Sequence, residues 1–266
     1  MSLTVRAPAS SANLGPGFDA FALALEEPYD VVEIGLTGSS GRVEVSFTGV
    51  GSEAIPCEPS RNSAGLVALE MLRRFRPDAG CMIRVVKGVR PGMGMGSSGA
   101  TAAAVAYGLD KLLDLGLSVP ELVRSAAKGE LSSAGVEHAD NVAASLLGGF
   151  VIVDSESFEA VRLNPPDSMA ICIALPNIEV PQHKTGVARS VIPSSIELER
   201  LVHNVHRASL IVAGFALGDL RLIGEGMDDA VVEPARAKLI PGYGEVRKLA
   251  LEAGAYGVAI SGAGPS

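Results

Sequence analysis

The sequence predicts a chain of mixed strands and helices in two parts. Three observations predict it: short runs rich in Val, Ile, Phe and Leu between Gly, Pro and Ser clusters, longer Ala- and Leu-rich runs at helical spacing, and a proline break near residue 165. With 266 residues the chain has room for one large domain or two small ones, two being favoured. Asn164-Pro165-Pro166 divides it into 1–164 and 165–266, because paired prolines forbid helix and interrupt strand pairing.

In the first part, residues 3–7, 18–25, 30–36 and 42–47 read as strands. The spacing of Leu66, Leu69, Leu72 and Phe75 predicts a helix over 62–75, stopped by Pro77. Residues 81–86 form a strand leading into a glycine-rich loop, 88–96. The Ala-dense, proline-free run 97–114 is then a helix, with Gly116 placed to end it. Ser118 and Pro120 open the next helix, running towards Glu130. A short helix over 141–147 closes at Gly148 and Gly149, and 150–153 resumes as a strand. The second part reads as strands at 169–175 and 256–260 and helices at 194–217 and 242–253.

Composition excludes several function classes. Hydrophobic residues at 47% and charged residues at 20% are ordinary globular usage, so the chain folds. Aromatics are 4%, Trp is absent, and the formal charge is −8. A chain of this charge repels polyphosphate backbones, which argues against nucleic acid as a partner. Cys57, Cys81 and Cys172 are odd in number and widely spaced, as expected of a reduced cytoplasmic protein without disulfides or a zinc site. No apolar run reaches the roughly 18 residues that span a bilayer, so no membrane association is expected. Whether copies pair as a homodimer stays open.

The 31 glycines are the outlier, and they cluster. Arg90-Pro91-Gly92-Met93-Gly94-Met95-Gly96-Ser97-Ser98-Gly99-Ala100-Thr101 opens the Ala-rich helix. Glycines allow close backbone approach, and a helix start offers unpaired N–H groups and partial positive charge, so this loop reads as an anion site. The competing reading is a plain turn capped by Ser97 or Ser98. No Gly-Lys-Ser/Thr follows, so the Walker pattern fails. Gly94-x-Gly96-x-x-Gly99, with Asp114 twenty residues beyond Gly94, fits the letters of a dinucleotide fingerprint and keeps a nicotinamide-dependent oxidoreductase as the alternative from another class. The fit is poor, because Asp114 falls at a helix end and the loop comes late in the chain.

Pro91-Gly92-Met93-Gly94-Met95-Gly96-Ser97-Ser98 resembles the phosphate loop of the GHMP kinases. Two further segments agree. Ala7-Pro8-Ala9-Ser10-Ser11-Ala12-Asn13-Leu14-Gly15-Pro16-Gly17-Phe18-Asp19 is similar to the N-terminal motif of the branch acting on homoserine, and Ser261-Gly262-Ala263-Gly264-Pro265-Ser266 resembles the family's C-terminal glycine motif. The resemblance implies a two-domain α+β fold: a ribosomal-protein-S5-like nucleotide-binding domain over 1–164 and a ferredoxin-like domain over 165–266, lacking a terminal strand and helix. The implied activity is ATP-dependent phosphorylation of the L-homoserine hydroxyl, with ATP and Mg²⁺ bound. A related kinase with another small alcohol, or a nucleotide-binding protein without catalysis, are the nearer alternatives.

The resemblance also implies roles. The loop, Pro91 to Thr101, holds ATP, with Asn62 and Lys87 near the adenine. Ser98 and Glu130 hold Mg²⁺, one hydroxyl and one carboxylate sufficing for an ion that keeps its waters. Asn13 and Asp19 take the hydroxyl and amino group of the substrate, Arg189 and Arg236 face its carboxylate, a guanidinium giving two parallel hydrogen bonds, and Thr185 is a further substrate-binding residue. In Glu137-His138-Ala139-Asp140-Asn141, His138 and Asn141 line the pocket. Asn141 stands where many relatives place an aspartate base, so the expected mechanism positions the hydroxyl without a strong base, Asp140 being the rival base. Met93 and Met95 pack beside the nucleotide or under the loop. His203 and His206 are expected to be structural.

Overall fold

A computed structural model describes residues 2–38, 41–134, 137–178 and 184–266. The long strand β2, Phe21–Thr37, organises the first part. β1 (Ser2–Ala12) runs antiparallel along one edge of it; on the other, β4 (Gly80–Lys87) pairs with Val31–Thr37 and β5 (Phe150–Val153) with Phe21–Leu23. β3 (Val43–Gly49) adds parallel to β4, and β6 (Ala160–Leu163) antiparallel to β5, completing a six-stranded sheet. The two strands predicted over 18–25 and 30–36 are therefore one. Tyr29 pairs with Pro8 and Ala24 with Ser10, so residues 25–28 bulge out of the ladder. Pro28, which has no N–H, falls in that bulge, and the strand passes it without losing a ladder bond.

Helices α1 (Ser63–Phe75) and α2 (Ser97–Leu112) pack on the sheet. Asn62 caps α1 by accepting the Gly65 N–H at 2.8 Å. The small residues of α2 let it lie close: a Cβ on Gly108 would stand 2.4 Å from Ile34 Cδ1. The helix ends at Leu112, two residues before the predicted end, where Asp114 turns left-handed with φ 51°. α3 (Val119–Ala127) starts on the capping box formed by Ser118 and Glu121. A 3₁₀ turn over Lys128–Glu130 leads into α4 (Leu131–Ala134), and α5 (Asp140–Leu147) precedes β5.

The second part contains α6 (Lys184–Ser190), α7 (Leu198–Leu217), α8 (Leu220–Gly226), α9 (Val232–Arg236) and α10 (Tyr243–Glu252). Phe215 of α7 stacks on Phe150 at 4.1 Å between ring centroids, and Phe21 meets Phe150 edge-on at 5.2 Å, so aromatic contacts join the helical part to the sheet. The strands predicted at 169–175 and 256–260 do not form, and no strand follows Leu163 among the described residues. A strand exists only against a hydrogen-bonded neighbour, and neither segment has one here. Among the described residues no helix is long and apolar enough to cross a membrane.

Candidate active site

Three glycine-containing segments far apart in sequence meet at the start of α2. The Ser10 N–H reaches the Met95 carbonyl at 3.1 Å, and the Gly262 N–H reaches the Ala12 carbonyl at 3.0 Å. The Ser261 hydroxyl donates to the Gly94 carbonyl at 2.7 Å, and Ser266 to that of Met93 at 2.5 Å. This closeness requires glycine. A Cβ on Gly94 (φ +84°) would stand 2.4 Å from the Ser261 carbonyl oxygen, and one on Gly96 (φ +63°) would stand 2.3 Å from Ser10 Oγ. The glycines that the sequence offers to a ligand are thus also the glycines that let the three segments pack.

The segments enclose a cavity of about 450 Å³. Pro91, Gly92, Gly94, Gly96, Ser97, Ser98 and Thr101 line one wall of it. The cap of α2 is Gly96, with no side-chain cap hydrogen bond among the described residues, and Ser97 donates its hydroxyl to the Val89 carbonyl at 2.7 Å. The plain capped turn is therefore not what forms. Uncapped amides and the positive end of α2 face the cavity and suit a phosphate chain. Met93 and Met95 are buried in the core below the loop, while Gly99 and Ala100 are buried inside α2; none of these four lies on the wall.

Lys87 lines the cavity, but its ammonium is committed to a buried network. It pairs with Asp30 and donates to the Ser97 carbonyl and Thr101 Oγ1, both at 2.9 Å. Asp30 also accepts the Gly88 and Val89 N–H groups at 3.1 and 3.0 Å. Burial pulls the Lys87 value down while Asp30 opposes it. Lys87 thus braces the loop from below and is not solvated. Asn62 is spent similarly: besides capping α1, it donates to the Pro56 and Glu58 carbonyls at 3.0 and 2.8 Å. Apolar Phe47, Ala54 and Ile55 line this end of the cavity.

Ser98 and Glu130 meet by a hydrogen bond on the cavity wall, bringing the first turn of α2 to the 3₁₀ turn after α3. Burial raises the Glu130 carboxyl to about 7, an effect that Ser98 partly offsets. A buried carboxylate beside a hydroxyl is a hard-oxygen pair of the type magnesium accepts. Asp140, also on the wall, is pushed up by burial, while its oxygen accepts the Asn141 N–H at 2.7 Å.

All seven residues expected for the amino-acid substrate line the same cavity: Asn13, Asp19, His138, Asn141, Thr185, Arg189 and Arg236. Asn13 (φ 72°) donates to the Gly262 carbonyl at 2.9 Å and accepts the Asp19 N–H at 3.2 Å, so the tight turn after β1 presents Asp19 inward. Asp19 pairs with Arg189 and has His138 Nδ1 at 3.7 Å. Arg236, buried, donates to the Gly262 and Ala188 carbonyls at 2.7 and 3.2 Å. Asn141 Oδ1 accepts the Ser10 hydroxyl at 2.8 Å, and among the described residues its amide N–H groups have no partner, so the cavity can use them.

Asp114 lies exposed beyond α2 and away from the cavity, which removes the ribose partner that the dinucleotide reading needs. His203 bonds to Asp228, 3.3 Å from its carboxylate, and His206 is exposed, so the two share no partner. Sequence reasoning missed Lys184, Asp30 and the positioning use of Ser10. Lys184 and Asp30 sit in no motif that would single them out. Ser10 lies within the N-terminal motif, but only the fold shows that it holds Asn141.

Comparison with known proteins agrees with this geometry. Residues 62–149 match the GHMP kinases N terminal domain, and residues 211–266 match the GHMP kinases C terminal family. The chain is 47% identical over 264 residues to a homoserine kinase of Haloarcula marismortui, covering 99% of this chain and 85% of that one. It is 43% identical over 265 residues to a homoserine kinase of Methanocella arvoryzae, covering 100% and 83%. The crystal structure of homoserine kinase from Cytophaga hutchinsonii superposes with a TM-score of 0.86 at 36% identity, covering 99% of this chain and 83% of that one.

Proposed function

This chain belongs to the GHMP kinases, and from that premise we propose that it transfers the terminal phosphoryl group of ATP to the side-chain hydroxyl of L-homoserine, giving ADP and O-phospho-L-homoserine for threonine synthesis. The single observation that carries the reading is that one cavity holds both an uncapped, glycine-wrapped helix start and the Asp19, Arg189 and Arg236 set. The first suits a phosphate chain and the second an amino acid at both its charged ends.

The geometry supports one division of labour. The triphosphate lies over Gly92 to Ser98, and the adenine points towards Phe47, Ala54 and Ile55. The substrate ammonium replaces the Arg189 guanidinium on Asp19, and the freed Arg189 joins Arg236 on the substrate carboxylate. A zwitterion satisfies both partners of the broken pair, whereas an uncharged alcohol has no charge with which to displace either, which disfavours it. Asn141, fixed by Ser10, donates to the substrate hydroxyl and aims its oxygen at the γ-phosphorus. That bond forms as the bond from phosphorus to the bridging oxygen breaks, and the hydroxyl proton passes to phosphate or solvent. Ser98 and Glu130 would hold Mg²⁺, which when bound would neutralise charge on the phosphate oxygens. Residues 1–164 form the nucleotide half and 165–266 the half that closes over the amino acid. The enzyme works in the reducing cytoplasm, its three cysteines unpaired among the described residues.

Phosphorus NMR with ATP, Mg²⁺ and a panel of homoserine, mevalonate, galactose and shikimate tests the reading. A phosphomonoester forming with homoserine alone is expected; transfer to another alcohol, or none, overturns it.

A further inference from the structure

Five Lys and Arg side chains line the cavity, and three of them are already committed. Lys87 is held by Asp30 and Arg189 by Asp19, Arg236 is spread over two carbonyls, and Arg61 is exposed at the far end beside Asn62. Lys184, the first residue of α6, also lines the cavity, and its ammonium has no carboxylate partner among the described residues. It donates to the Gly264 carbonyl instead. That carbonyl packs on the phosphate loop, since a Cβ on Gly94 would stand 2.7 Å from its oxygen. The ammonium is thus at the seam between the C-terminal glycine turn and the loop, on the side of the cavity occupied by the amino-acid residues of α6.

We propose that Lys184 is a catalytic residue that binds the transferring phosphoryl group. Its ammonium exchanges the Gly264 carbonyl for a terminal phosphate oxygen of the bound nucleotide and stays with that group as it passes to the acceptor hydroxyl. A neutral carbonyl is a weak partner for a desolvated cation, and a phosphate oxygen is a strong one. The group in flight spreads negative charge over three oxygens, and a compact ammonium on a flexible stem can follow it where a rigid fork cannot. Burial and the neighbouring Arg236 lower the Lys184 amine to about 8, so it stays largely charged near neutrality and an arriving anion stabilises that charge. The inference rests on the kinase reading, in which the loop holds ATP.

Calorimetry with ATP and with ADP, each with Mg²⁺, on the wild type, Lys184→Gln and Lys184→Arg separates the two ideas, together with homoserine turnover. Lys184→Gln is expected to weaken ATP about tenfold and ADP less than about twofold, and to lower kcat about a hundredfold with little change in KM for homoserine. Lys184→Arg is expected to recover most of the ATP preference, and retained ADP binding reports that each variant is folded. If Lys184→Gln keeps the wild-type ratio of ATP to ADP affinity, or loses both nucleotides equally, Lys184 only pins the Gly264 turn and the inference is overturned. A wild type that binds neither nucleotide overturns the kinase reading itself.

Discussion

Burial holds the Glu130 carboxyl at about 7, above its ordinary value near 4.5, so the folded protein keeps that proton more tightly than the unfolded chain. Stability from this group is complete below the ordinary value and is lost as pH rises through about 7. Glu130→Gln is therefore expected to raise the melting temperature at pH 8, by on the order of 3 kcal/mol of stability, and to leave it unchanged near pH 4.5. Turnover should fall at least about a hundredfold, since an amide holds magnesium poorly. A variant stabilised equally at both pH values would break the link. One residue from Asn141, Asp140 gives the opposite control. If Asn141 and Asn13 position the hydroxyl without a base, Asp140→Asn should keep turnover within about tenfold; a loss of several orders of magnitude in a folded variant makes Asp140 the base. At this scale the motif residues were readable as a group that lines one cavity, because their types carry a recognisable pattern. Lys184 was not, because one lysine in a polar stretch carries no pattern until the fold sets it against Gly264.

The start of α2 depends on what lies under it. Asp30 at the middle of β2 and Lys87 at the end of β4 form a buried pair that also holds Ser97, Thr101, Gly88 and Val89. Removing one partner leaves an uncompensated buried charge, so Lys87→Met is expected to cost about 3–5 kcal/mol. Asp30→Asn combined with Lys87→Met should recover part of that, as denaturant titration of the single and double variants can show. Equal losses for the single and double variants would mean that the pair itself contributes little. The elements with strong local signals were readable: the Ala-rich α2, the Ser118 capping box and the alternating β4. Elements that depend on partners were not. β2 reads as two strands because a bulge absorbs Pro28, the four-residue β6 exists only against β5, and residues 169–175 look like a strand but lack a neighbour.

Across the whole molecule, segments 7–19, 91–98 and 261–266 converge although more than two hundred residues separate the first from the last. The Gly262 carbonyl ties the first segment to the last and to α9, accepting from Asn13 at 2.9 Å and from Arg236 at 2.7 Å, while Ser261 and Ser266 bond the loop. Sequence named all three segments but not the bonds between them, since a backbone carbonyl has no letter. The proposed reaction needs both halves: the sheet and α2 would present the phosphate side, while α6 and α9 bring the two arginines to the cavity. A crystal structure with homoserine and a non-hydrolysable ATP analogue tests this most directly. The account predicts the phosphate chain against the Gly92 to Ser98 amides, with the homoserine hydroxyl about 3.5 Å from the γ-phosphorus and its carboxylate on Arg189 and Arg236. A nucleotide bound away from the loop, or an amino acid lying on the far side of Asp19, would contradict it.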